Sequence, residues 1–111
     1  MPHIVVEYSE ALESSVDFPK LLKELHLDLV GRDTVGHEHV KTYALPISFC
    51  EVGLNETPNS MLHVILKLLP GRSVALKNEM AQGLRTILRA YVGDISVTVE
   101  IQELEAETYC K

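Results

Sequence analysis

A chain of 111 residues, 46% hydrophobic and 23% charged, has the size and balance of one folded domain spanning 1–111. Its net charge of −6, its lack of Trp and the absence of any basic stretch exclude a nucleic-acid surface built on phosphate contacts and base stacking. No apolar run is long enough for a membrane span, and residues 1–8 lack the basic start of a signal peptide, so the expectation is a soluble, cytoplasmic protein. Cys50 and Cys110 form no framework motif, and a disulfide between them is the disfavoured alternative in a reducing compartment.

Residues 3–8 read as a strand. Asp17 is placed to cap a helix, with Pro19 tolerated in its first turn. Leu21, Leu22, Leu25 and Leu29 then recur at helical spacing, and Gly31 stops the run. A second strand is expected over 38–45, ending at Pro46. It would place His37 and His39 on one face and Lys41 mid-strand. The segment 50–60, with Glu51, Gly53, Asn55, Pro58 and Asn59, reads as a loop.

Residues 62–69 form a third expected strand, closed by a Pro70-Gly71 turn. Ser73 is placed to cap a helix whose stripe is Leu76, Met80, Leu84, Ile87, Leu88 and Tyr91, and Gly93 is expected to end it. Over 95–102 the chain alternates: Ile95, Val97, Val99 and Ile101 on one face, Ser96, Thr98, Glu100 and Gln102 on the other.

The order of elements repeats. Met1-Pro2-His3-Ile4-Val5-Val6 is echoed by Met61-Leu62-His63-Val64-Ile65-Leu66, giving pseudo-repeats over about 1–49 and 61–104. The predicted class is α/β (α+β), with two tandem βαβ units forming a four-stranded sheet and two helices on one face. Ile4-Val5-Val6 and Val64-Ile65-Leu66 are apolar on both sides, the pattern of strands covered twice. A second copy of the chain is the simplest second cover, so a homo-oligomer is expected.

Three residues are candidates for chemistry. Removal of Met1 would expose the secondary amine of Pro2 at the head of a buried strand. An amine held there and lowered by burial and nearby cations suits proton abstraction beside a carbonyl. Alone, a proline at position two is more simply a tolerated one. Arg72 sits between a strand end and a helix start, where a guanidinium can clamp a carboxylate and stabilise an enolate; a solvated turn arginine is the plainer alternative. Lys41 is a candidate second carboxylate contact if the fold brings it near Pro2, and otherwise a wet strand residue.

The histidines carry less. His37 and His39 are too few for a metal, and no third ligand stands out, so no metal site is expected. His3 and His63 are repeat-related and read as structural, and His26 as a helix-surface residue. Nucleophile elbow, phosphate loop and dinucleotide fingerprint are all missing.

The opening Met1-Pro2-His3-Ile4-Val5-Val6-Glu7-Tyr8-Ser9, with Gly71-Arg72-Ser73 about one repeat later, resembles the 5-carboxymethyl-2-hydroxymuconate isomerase family of the tautomerase superfamily. The resemblance spans nearly the whole chain in element order. It implies two βαβ units, a trimer and no cofactor. It also implies Pro2 as general base and Arg72 as a substrate-binding residue. A second family arginine, in the second strand, corresponds here to Lys41, which keeps the charge but loses the planar fork for bidentate recognition. The Asn often found after the opening Ser is replaced by Glu10-Ala11-Leu12, and the carboxyl end is short for the family.

The expected activity is therefore a keto–enol or 1,3-/1,5-proton shift on a small unsaturated 2-hydroxy or 2-keto acid. Within the superfamily, a broad keto–enol tautomerase is an alternative. A non-catalytic oligomer binding a small acid or a protein is the alternative of another class.

Overall fold

The computed structural model describes residues 2–32, 35–54 and 59–111. Its elements are β1 (His3–Ser9), α1 (Phe18–Val30), β2 (Lys41–Ile47), β3 (Met61–Leu68), α2 (Val74–Tyr91) and β4 (Ser96–Glu103). The four strands form one sheet in the order β2-β1-β3-β4. β1 runs parallel to β2, β3 parallel to β4, and β1 antiparallel to β3. Each parallel pair is joined by a helix, so the sheet consists of two βαβ units set head to tail across its centre.

Both helices start where their caps predict. Asp17 accepts from the Lys20 N–H at 3.2 Å, and Ser73 accepts from the Leu76 N–H at 3.1 Å. Each contact satisfies one of the orphan donors of a first helical turn. Leu21, Leu25 and Leu29 of α1 and Met80, Leu84 and Leu88 of α2 are buried, while Leu22, Leu76, Ile87 and Tyr91 pack at the margin of the same core. Against these stripes lie Ile4 and Val6 of β1, Leu62, Val64 and Leu66 of β3, and Val97 of β4. Alternation along the strands sends the other residues to the far face, which no helix among the described residues covers.

Three expectations are corrected. Residues 37–40 do not extend β2. His37–His39 is a single 3-10 turn, and Val40 leads into a strand that begins at Lys41. The reading of two histidines on one strand face requires strand geometry, which the backbone at 37–39 does not have. Lys41 consequently opens the strand instead of lying midway along it. Pro46 sits inside β2, paired in register with Tyr8, and does not end it. β2 is an edge strand, where the missing proline N–H disturbs no ladder on the outer side.

Glu10–Ser14 adds a 3-10 turn after β1, and Val92, not Gly93, is the residue that closes α2, its N–H bonded to the Leu88 carbonyl. Of the 50–60 loop, Asn55 and Pro58 lie outside the described residues, as does Met1. Cys50 and Cys110 are free thiols. No helix among the described residues is long and apolar enough to cross a membrane.

Candidate active site at the Pro2 end of the sheet

Pro2 is buried immediately before β1, one of the two central strands. Its carbonyl accepts from the Lys41 N–H at 3.0 Å. The parallel register continues from there, with His3 beside Lys41. The fold thus meets the condition under which Lys41 becomes a site candidate: the strand that carries it starts against Pro2.

Arg72 reaches the same end of the sheet by a different route. β3 is antiparallel to β1 and pairs Lys67 with His3. Its last residue, Leu68, lies at the end where β1 begins, and Leu69-Pro70-Gly71-Arg72 continues from it into α2. Gly71 has φ +126°, a conformation costly to any residue with a Cβ, and this reverses the chain before the helix. Arg72 is half-buried, with its Nε shielded from solvent. Ser73 fixes the start of α2 one residue later. Pro2, Lys41 and the Arg72 loop are gathered by three separate elements at one end of the sheet.

The surroundings of Pro2 include residues that the sequence does not single out. His3 projects onto the uncovered face, between Lys41 and Lys67 in register. Its Nε2 lies 2.8 Å from the Tyr109 hydroxyl, and the rings of Tyr43 and Tyr109 stand edge-on to it at 6.4 and 6.0 Å. Burial, and then the positive charge of Lys41, hold the His3 pKa below its ordinary value of 6.5. Strand pairing alone brings Lys67 beside His3. Tyr109 arrives from the far end of the chain, and no local pattern announces it.

Elsewhere on the uncovered face, His63 bridges two neighbours. Its Nδ1 lies 2.6 Å from Thr98 Oγ1 and its Nε2 2.8 Å from Glu100 Oε1. The repeat-related reading of His63 as a structural strand residue fits these contacts. His26 bonds Thr42 Oγ1 through Nδ1 at 2.8 Å, tying α1 to β2. The described residues contain no group of three side chains able to hold a metal ion. A cleft of about 330 Å³ lies between α2 and the edge strand β4, lined by Asn78, Gln82, Arg85 and Val97 among others; neither Pro2 nor Arg72 lines it.

Among curated proteins none matches the sequence. A crystal structure of a 5-carboxymethyl-2-hydroxymuconate isomerase from Deinococcus radiodurans R1 superposes with a TM-score of 0.85 at 23% identity, covering 99% of this chain and 87% of that one. A 5-carboxymethyl-2-hydroxymuconate delta-isomerase superposes equally well, TM-score 0.85, at 20% identity over 100% of this chain and 87% of its own. More distantly, a fused 4-OT described as a symmetric trimer gives a TM-score of 0.67 at 13% identity, over 96% and 91%. These likenesses establish a tautomerase-like fold. The family profile of 5-carboxymethyl-2-hydroxymuconate isomerase matches residues 2–111, and the chain belongs to that isomerase family.

Proposed function

We propose that this isomerase moves a proton on a small unsaturated 2-hydroxy or 2-keto carboxylic acid, with the amine of Pro2 as the base. The carrying observation is the convergence at one sheet end of a buried Pro2, the Lys41 N–H on its carbonyl at 3.0 Å, and the loop bearing Arg72. An unperturbed α-amino group titrates near about 8, and a proline amine is more basic. A general base works best near neutrality, and burial beside cations is the environment that moves an amine in that direction.

The neutral Pro2 nitrogen takes the proton of an enol hydroxyl, or one from carbon beside a carbonyl. The electron pair of the broken bond moves into the conjugated system, and the protonated amine returns a proton to a different carbon. Arg72 holds a carboxylate and offsets charge on the dienolate, with Lys41 assisting as a point charge. The chemistry calls on no cofactor and no metal.

The same reading covers assembly. Tyr43, Leu45 and Phe49 are 39%, 47% and 93% exposed on and just after β2, an unusual load of apolar surface for one edge. We propose that further copies of the chain cover this face as a homotrimer in the cytoplasm.

The test is a Pro2→Ala variant, checked by intact mass for loss of Met1 and assayed by ultraviolet absorbance on a 2-hydroxymuconate and on an enol of the phenylpyruvate type. A positioned general base contributes about 10²- to 10⁴-fold, so kcat should fall at least about 100-fold. Unchanged turnover of every enol sinks the role of Pro2. So does an active wild-type chain that retains Met1, because an amide nitrogen has no basic lone pair.

A further inference from the structure

We infer that the carboxyl-terminal segment 104–111 is a strap across the Pro2 end of the sheet, latched by Tyr109 on His3, and that Tyr109 is a positioning residue for the site. The effect on turnover rests on the Pro2 reading; the latch itself does not.

The strap is anchored at both ends. Its first residue, Leu104, donates its N–H to the Leu68 carbonyl at 2.7 Å, one step beyond β4 and beside the chain that leads to Arg72. The segment then turns on itself, with the Thr108 and Tyr109 N–H groups bonded to the Glu105 carbonyl at 3.2 and 3.0 Å. From edge strand β4 it reaches β1, two strands away, where the Tyr109 hydroxyl meets His3 Nε2 at 2.8 Å. This one side-chain contact joins residues 106 apart in sequence and places the strap one residue from Pro2.

The latch has a defined charge state. Lys41 flanks His3 on one side and Lys67 on the other. Tyr43 and Tyr109 close the ring in from β2 and from the strap. No acidic side chain opposes His3 in either strand register. Burial and Lys41 keep the imidazole neutral at pH 7. We assign the tautomer with the proton on Nδ1, so that Nε2 accepts from the Tyr109 hydroxyl. Protonation would reverse that bond and set a third cation between two lysines.

The direction of pH dependence follows. Folded His3 binds a proton less readily than unfolded His3, so its contribution to stability is complete above pH 6.5, the ordinary value. It is lost as the pH falls through the lowered pKa of the folded state. The strap is therefore held at neutral pH and loosens in acid.

The experiment uses Tyr109→Phe, which keeps the ring and removes only the hydroxyl. Wild type and variant are compared by NMR titration of the His3 ring, by amide hydrogen exchange over 104–111, and by the pH profile of kcat/KM on an enol acid. Without its donor the neutral imidazole is less favoured. The His3 midpoint should rise, exchange in the strap should quicken about 5-fold, as expected for one lost hydrogen bond, and the acid limb of the profile should move to higher pH. An unmoved His3 titration with unmoved exchange overturns the latch, whatever happens to turnover. A released strap with an unmoved pH profile overturns Tyr109 as a positioning residue. If His3 and the strap respond while the wild-type chain turns over no enol, the latch stands and the Pro2 reading fails.

Discussion

The two faces of the sheet come from the same four strands and do different work. On the helix side, Ile4, Val6, Leu62, Val64 and Leu66 are all 0% exposed beneath α1 and α2. One residue along each strand, the uncovered side presents His3, Glu7, His63, Lys67 and Glu100, with apolar Tyr43 and Leu45 among them. The helix side completes its packing within the chain. The open side has ring contacts, lysines flanking His3, a strap and apolar surface left over. The packed core and the polar open face are thus separated by the two-residue period of a strand, and a single step in register would exchange them.

The largest stability effect should come from the helix side. Leu84 lies wholly buried in the centre of the α2 stripe. Leu84→Ala removes its contacts and leaves a cavity, for an expected loss of about 2–5 kcal/mol in urea unfolding. A loss below about 1 kcal/mol would mean that this core collapses around the gap. Leu45→Lys probes the other face, at a position 47% exposed on an edge strand. Within one chain it should change stability by no more than about 0.5 kcal/mol. In sedimentation velocity it should break the assembly, because a lysine then enters the surface proposed to meet another copy. An unchanged oligomer would place the interface elsewhere.

The sequence discloses these two faces unequally, for a physical reason. The helix side is written in local spacing. Leu21, Leu25 and Leu29, Met80, Leu84 and Leu88, and the alternation through Val97, Val99 and Ile101 each repeat within a few residues. Periodicity reads that directly. β2 was harder, because Val40-Lys41-Thr42 resembles a strand interior while His37–His39 folds as a 3-10 turn before it. Pro46 looked like a terminator because its place on an edge strand is a property of the sheet, not of the local sequence.

The candidate site divides the same way. Pro2 and the Gly71-Arg72-Ser73 turn were legible because each sits at a punctuated element boundary, and the family resemblance joined them. That Lys41 starts its strand against the Pro2 carbonyl depends on the register of β1 with β2, which spacing does not state. His3 reads as a structural strand residue, but its neighbours are not legible: Lys67 and Tyr109 lie 64 and 106 positions away in the chain and meet it only once the sheet has formed.

The smallest predicted effect tests whether the open face is wet or covered. Glu100 is more than half exposed in the single chain and accepts from His63 Nε2, while Glu7 stands opposite His63 in the neighbouring register. Glu100→Gln keeps an acceptor at the same place and removes one charge. In dilute monomer, where water competes for the contact, an exposed polar pair contributes about 0–1 kcal/mol, and the variant should lose no more than that. If the proposed assembly covers Glu100, its side chain is desolvated there, and hydrogen bonds to charged groups then contribute about 1.5–3 kcal/mol. The stability difference between wild type and Glu100→Gln should therefore grow with protein concentration in thermal unfolding. A difference that stays flat across concentrations would show His63 and Glu100 remaining in water, and would separate this part of the open face from the surface around Leu45 that the trimer is proposed to bury.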